Sequence, residues 1–375
     1  MFNSFKIILI ITLSVIISSC KAKNTAREMF EAAAALPHVP GISVAIADQN
    51  GIIWAEGFGY ANIEHQIPMD TNTKMRIGSV AKIITTAAMM KMVEQGELDL
   101  DRNIRDYIPE WPASHDPITL RQLAAHTAGV RHYNGTEFLS NTQYENSVTA
   151  LDIFKNDPLN FTPGNGFSYT TYGWTVISAA MESASGNSYK QLINEHVLTP
   201  LSMNDTTFDD TAPIIKNRQS PYSFENGELV NTAQVNASYK YAGGGFLATP
   251  SDVAKFAIAH ATPGYLKAET LSEMYQKLEP SPHGIGWIIG FDDYKNNYST
   301  VSEENTDILR MMNEHPNTVM HSGGSVGGLT MMLLCLDHNR AVALTKNVSN
   351  SPGNQNDLGD HFLLALKTLD IFHNN

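Results

Sequence analysis

Cysteine is almost absent from this chain: 375 residues carry only Cys20 and Cys335. A disulfide-stapled scaffold is therefore excluded, and stability has to come from a packed core. Positive charge is also scarce. Lys and Arg number 25 against 38 Asp and Glu, for a formal net charge of −13. No Lys/Arg cluster offsets that deficit, which argues against a nucleic-acid partner. Internal repeats and long disordered segments are missing as well. What remains is an ordinary globular composition, 42% hydrophobic and 17% charged with 26 Gly and 17 Pro, enough for one large domain or two smaller ones.

The first twenty residues do not read as fold. Lys6 precedes an apolar run over residues 7–17, and Ser18-Ser19-Cys20 follows, the pattern of an export signal. Ile17-Ser18-Ser19-Cys20 resembles the bacterial lipobox, in which the cysteine becomes the lipidated first residue. Residues 1–20 are thus expected to be a lipoprotein signal peptide, and residues 21–26 a short tether. Residues 27–375 are then an exported domain held at the membrane, facing the periplasm or the cell surface. An ordinary signal peptide and an uncleaved anchor are the alternatives. Cys335 lies in a strand-like run, Leu329 to Leu336, and reads as a buried structural thiol because no basic neighbour is visible.

Residues 27–36 look helical. Residues 42–47 alternate as a strand, Asp48-Gln49-Asn50-Gly51 is a hairpin turn, and residues 52–57 return. From about 97 to 240 short helical or loop segments dominate. Strand signals come back at 285–289, at 318–321, and in a hairpin of 329–336 and 340–345 across Asp337-His338-Asn339. Residues 292–313 read as an exposed polar loop and 358–372 as a final amphipathic helix. Strands at both ends of a helical middle predict an α+β fold: one antiparallel sheet closed by the termini, flanked by helices, with a mostly helical insertion. A cleft between the two parts is the natural site.

Ser79-Val80-Ala81-Lys82 carries the chemistry. It opens an apolar stretch that predicts a buried helix beginning at the serine and ending at Gly96. Residues i and i+3 share a helix face, so Ser79 and Lys82 point the same way. The helix N-terminus offers a positive dipole end and free N–H groups. A buried lysine favours its neutral, proton-accepting form. These are the requirements of an activated serine, although a Ser-x-x-Lys on its own is weak evidence.

Two further patches give it weight: Ser168-Tyr169-Thr170-Thr171 and His321-Ser322-Gly323-Gly324. With them the chain resembles the serine β-lactamase-like family, which comprises class C β-lactamases, D,D-peptidases and related esterases. Its motif order is Ser-x-x-Lys, then Tyr-x-Asn or a variant, then Lys-Thr-Gly or His-x-Gly. The likeness runs from about Val44 to Asn347, and Gly96 to Asp101, Leu123 to Val130 and Gly243 to Asp252 carry it between the motifs. Arg131-His132-Tyr133 and Asn236 to Gly245 are similar to the mitochondrial branch of serine β-lactamase-like proteases.

The resemblance implies a fold of the β-lactamase/transpeptidase type and a serine hydrolase that needs no metal and no organic cofactor. Ser79 would attack a carbonyl of a small peptide, amide or ester. Lys82 and Tyr169 would share the proton as a Tyr–Lys pair. The N–H groups of Ser79 and Gly324 would form the oxyanion hole. His321, Ser322, Gly323 and Thr171 would line the substrate side, with His321 donating to the substrate or the tyrosine. Thr171 stands where asparagine often sits, and His321 lacks a permanent charge to hold a β-lactam or D-Ala carboxylate. Both departures point to peptide, amide or ester hydrolysis. A true β-lactamase or D,D-carboxypeptidase, and a non-catalytic binding lipoprotein on a hydrolase fold, are the rivals.

Other features carry less. His115, His126 and His132 fit no metal-ligand spacing and read as loop or core histidines. Gly243-Gly244-Gly245 lacks the setting of a phosphate loop and predicts close backbone packing beside the cleft. Gly323-Gly324-Ser325-Val326-Gly327 matches a nucleophile elbow, but an elbow needs a helix after its serine and a strand-like run follows here.

Overall fold

The computed structural model describes residues 20–298, 302–349 and 360–373. The expected signal segment up to residue 19 and the start of the final helix at Leu358 lie outside them. The frame is a seven-stranded, wholly antiparallel sheet. In chain order its strands are β1 (Gly41–Asp48), β2 (Gly51–Asn62), β3 (Ile67–Pro68), β4 (Ile288–Ile289), β5 (Thr318–Ser325), β6 (Gly328–Cys335) and β7 (Arg340–Lys346). Their spatial order is β3-β2-β1-β7-β6-β5-β4. The chain ends meet in the middle, where Ile42 opposes Lys346 and Ala47 opposes Ala341.

Each central strand is buried on both faces, so its residues sort by parity rather than polarity. Ala45, Ala47, Ala341 and Ala343 face the side that holds α1 (Ala81–Glu94), α2 (Tyr172–Ser185) and α3 (Pro250–Ile258). These small side chains let α3 lie directly against β1 and β7. Val44, Ile46, Met331, Leu333, Val342 and Leu344 face the other side. There they meet the helical residues 20–34, α4 (Glu303–Glu314) and α5 (His361–His373). Helix α1 is buried on nearly every side, Lys82, Thr85 and Thr86 included, and is accordingly an interior helix of the molecule. Among the described residues no helix is long and apolar enough to cross a membrane.

Several expectations are corrected. Residues 21–26 are not a loose tether. They are helical, and Ala22 and Ala26 are buried against the sheet, because alanines four apart form one face. Residues 292–313 are not an exposed loop. α4 carries Ile308, Met311 and Met312 inward on one face beneath a charged surface. The mostly helical insertion also holds a hairpin of Tyr222–Glu225 and Glu228–Asn231, which was not anticipated. The strand signal at 285–289 shrinks to β4. Cys335 is buried as expected, but it is not without basic neighbours: His338 and His315 lie 3.2 and 3.4 Å from its sulfur.

Candidate active site

The serine sits one turn before α1, in a 3-10 turn of Gly78–Val80. The helix thus begins just after Ser79 rather than at it, and Gly96, at φ +78°, follows its end. Gly78 has φ +50°, and a Cβ there would lie 2.7–2.8 Å from the backbone of Gly324. A Cβ on Gly323 would lie 2.0 Å from Ile77 O and 3.1 Å from Ser79 N. The missing side chains of Gly78 and Gly323 thus let β5 lie directly against the serine turn, with the backbones of Ser79 and Gly324 at the junction. Arg76 reinforces the junction, donating to Val326 O at 2.6 Å and to Asp209 at 2.7 Å.

Lys82 is fully buried, with Nζ 3.0 Å from Ser79 Oγ, 2.7 Å from Gly243 O and 3.2 Å from Thr171 Oγ1. None of these partners is a carboxylate. Burial, and secondarily the charge of Lys240, hold its pKa well below the lysine range. A neutral amine has two donors and one lone pair. Nζ donates to Gly243 O, Thr171 Oγ1 and Ser79 Oγ, so on losing a proton while the first two bonds hold it would turn its lone pair to Ser79. Thr171 therefore serves the amine, and its amide donates to His132 Nδ1 at 3.2 Å.

Tyr169 is half-buried, its hydroxyl directed at Ser79 and its ring 5.0 Å from Lys82 Nζ. Burial raises its pKa, and the bond to Ser79 offsets only part of that rise. The expectation of a readily ionised tyrosine is corrected. The lowered pKa of Lys82 weakens its support of a phenolate, and desolvation works against the phenolate.

His321 is corrected as well. It is buried beneath Tyr169, its Nδ1–H donating to Ser322 O at 2.6 Å and its Nε2 facing no partner. Burial first, then His283 and Lys82, keep it neutral. Rather than lining the substrate side, it floors the pocket of Tyr169 together with His126 and His283. Ser322 and Gly323 are tied up in the β5 junction, and Gly324 reaches the open surface. His126 and His132 prove to be core supports: their Nδ1 atoms accept the amides of Thr170 and Thr171 at 3.1 and 3.2 Å and so fix the tyrosine loop. Ser325 is no elbow. It ends β5, and its hydroxyl turns to Gly328 O.

The cleft in front of Ser79 has a volume of about 560 Å³, with Thr171, Gly243, Gly244 and Gly324 around the nucleophile. Three groups in its wall were not singled out as site residues. Lys240 is almost wholly buried, and burial, followed by Arg76, lowers its pKa to about 8. Tyr133 lies under its ammonium at 5.4 Å. Ser223, Glu225 and Val230 come from the hairpin. The hairpin had a signal, because Asn226-Gly227 is a preferred two-residue turn, with φ +53° and +89°. Lys240 had none, because no spacing rule links it to Ser79.

A family model described as Beta-lactamase matches residues 26–367. The chain belongs to that family. Among relatives, the human mitochondrial serine beta-lactamase-like protein LACTB is 28% identical over 388 residues, covering 79% of this chain and 68% of the relative. Penicillin-binding protein 4* of Bacillus subtilis is 24% identical, covering 81% and 67%. Among solved structures, EstCE1, a hydrolase with promiscuous acyltransferase activity, superposes with a TM-score of 0.78 at 20% identity, covering 94% of this chain and 99% of that one. The D-amino acid amidase of Ochrobactrum anthropi SV3 gives 0.78 at 18%, with the same coverage. The last two establish the fold, and the family as a whole is one of serine hydrolase-type proteins.

Proposed function

We propose that this family member is a serine hydrolase that works through an acyl-enzyme on amide, peptide or ester bonds. One observation carries the reading: a fully buried lysine without a carboxylate partner, 3.0 Å from the hydroxyl of Ser79. Such an amine is a base at neutral pH. Ser79 Oγ bonds to the carbonyl carbon as its proton passes to Lys82 Nζ. The carbonyl oxygen takes the electron pair and is held by the N–H groups of Ser79 and Gly324. Collapse breaks the bond to the amine or alcohol, which leaves with a proton delivered from Lys82 through the protonated Tyr169 hydroxyl. Water then repeats the sequence on the ester and releases the acid.

Lys240 gives the cleft the cation that His321 does not supply. This favours substrates bearing a negative group beside the scissile bond, and it keeps β-lactam hydrolysis or D-Ala release as the second reading. The decisive experiment is intact-mass spectrometry after a fluorophosphonate probe, with peptide mapping. One adduct, on Ser79 and lost in Ser79→Ala, is the expected result. An adduct on Ser325 or none with either a bulky or a small acylating agent overturns it, the latter in favour of a binding protein. Turnover of a chromogenic cephalosporin separates the second reading from the first.

We also propose that Cys20 carries a lipid that anchors the exported protein. Its thiol is exposed. Cys20→Ala should move the protein from the membrane to the soluble fraction. An unchanged distribution would refute the anchor.

A further inference from the structure

Four side chains that the hydrolase chemistry does not use converge at the end of the sheet remote from the cleft. Cys335 closes β6, opposite Thr318 at the start of β5. His315 caps the C-terminus of α4. His338 is the middle of the turn between β6 and β7, and His373 ends α5. His315 Nδ1, His338 Nδ1 and Cys335 Sγ form a triangle with edges of 3.2, 3.4 and 3.2 Å. The His373 ring lies 3.8 Å from that of His338 and 5.0 Å from that of His315. One nitrogen from each of the three histidines falls within 4.8 Å of the others.

Hydrogen bonding among these atoms does not account for the triangle. An imidazole Nδ1 carries one in-plane lone pair or one in-plane proton, never both. It can serve one neighbour well, yet each Nδ1 here faces two. A single acceptor of lone pairs at the centre would serve all three at once. Tetrahedral zinc, with bonds of about 2.0–2.1 Å to imidazole and 2.3 Å to thiolate, sets its donors about 3.3–3.6 Å apart. The observed edges are close to that spacing, and His373, which has a nitrogen within 4.8 Å of one on each of the other two histidines, is the candidate for the fourth donor. His315 and Cys335 are fully buried, whereas His338 and His373 are partly exposed, so the site has a protein-side wall and a solvent-side entrance. Asn317 holds the Asp337 carboxylate through its amide N–H at 3.2 Å and its side chain at 2.6 Å, which fixes the turn that presents His338.

We propose that Cys335, His315, His338 and His373 form a binding site for a divalent transition-metal ion of the zinc class, with a structural role. Binding replaces the Cys335 S–H bond with a sulfur–metal bond and releases one proton to solvent, while the imidazoles enter neutral. No electron is transferred. The ion would join the ends of α4 and α5 to the β6–β7 hairpin, which is the task a disulfide performs in cysteine-rich proteins. The donor set, one thiolate and three imidazoles, suits zinc or cobalt(II) and not calcium or magnesium.

Cobalt(II) titration of the full-length chain, solubilised in detergent, stripped with a chelator and kept reduced, tests the site. Cys20→Ala serves as background so that only Cys335 remains as thiol. One equivalent should produce the visible bands of tetrahedral cobalt and a near-ultraviolet thiolate charge-transfer band, both abolished by one equivalent of zinc. Cys335→Ser should lose the charge-transfer band. His338→Gln and His373→Gln, at partly exposed positions, should weaken binding by at least about 10-fold and abolish the rise in melting temperature that zinc gives the parent. Circular dichroism of the metal-free variants verifies that they are folded. No tetrahedral spectrum in the parent, or one that persists unchanged in Cys335→Ser, overturns the proposal. Weak octahedral bands alone, the mark of scattered surface histidines, overturn it too.

Discussion

Replacing Lys82 with methionine removes the amine but keeps the apolar stem. In the native chain the lysine is fully buried, and its pKa is pushed well below the ordinary range by burial and then by Lys240. Unfolding returns it to water, where a lysine titrates at about 10.4. Between those two pKa values the unfolded state binds one proton more than the native state. Stability therefore rises with pH across that window, by about 1.4 kcal/mol per unit for a whole proton. K82M lacks this dependence, and the groups common to both chains cancel when the two are compared. The native chain should thus gain stability on the variant as the pH rises from 7 to 9. The carbonyl of Gly243, which loses its donor, adds a pH-independent offset against the variant of about 1–3 kcal/mol. Urea unfolding of both proteins at pH 7, 8 and 9 measures the slope. Parallel curves would show that Lys82 is charged at neutral pH, and the neutral-base mechanism would be refuted. In the same variant, acylation of Ser79 should slow by about 10²–10⁴, a ratio that rapid-quench labelling reads directly.

Gly323→Ala should cost about 10²–10³ in acylation rate, the typical loss for one oxyanion-hole donor, because the new methyl would stand 2.0 Å from Ile77 O and drive β5 away from the serine turn; wild-type labelling would refute the assigned hole. Lys240, with its pKa at about 8, is cationic below that pH and neutral above it. KM for a substrate carrying a carboxylate should rise as pH passes about 8 in the native chain and should be high and flat in Lys240→Met, while a neutral ester should show neither effect.

The parts of the fold set by short-range rules were legible. The β1–β2 hairpin announced itself through Asp48-Gln49-Asn50-Gly51 and the alternation on either side, and the β6–β7 hairpin in the same way. Ser79 and Lys82 were legible as an i, i+3 pair on one helix face and Tyr169 only through the resemblance of its motif; the structure brings the three side chains together. What failed depended on tertiary context. α4 looked like a loop because its apolar residues, Ile308, Met311 and Met312, are few and its surface is heavily charged. Only the sheet it covers explains them. His321 was assigned to the substrate side from its place in the motif, but burial is a property of the assembled core, and the strand's parity turns its ring under Tyr169. Lys240 and the His315–Cys335–His338–His373 cluster come from segments far apart in sequence that pair only after folding.

The central seam between β1 and β7 has a consequence for how the chain is made. Ile42 finds its partner Lys346 roughly three hundred residues later, and contacts of that span are late and entropically costly. While the C-terminal hairpin is still being synthesised, β1 and β2 present an unpaired edge, and α3 has only half of its platform. A ribosome-bound chain therefore cannot complete this sheet before Lys346 has emerged. Until β7 arrives, that open edge is a template for wrong pairing. Truncating even the final strand would leave a sheet split down its middle rather than one trimmed at its border.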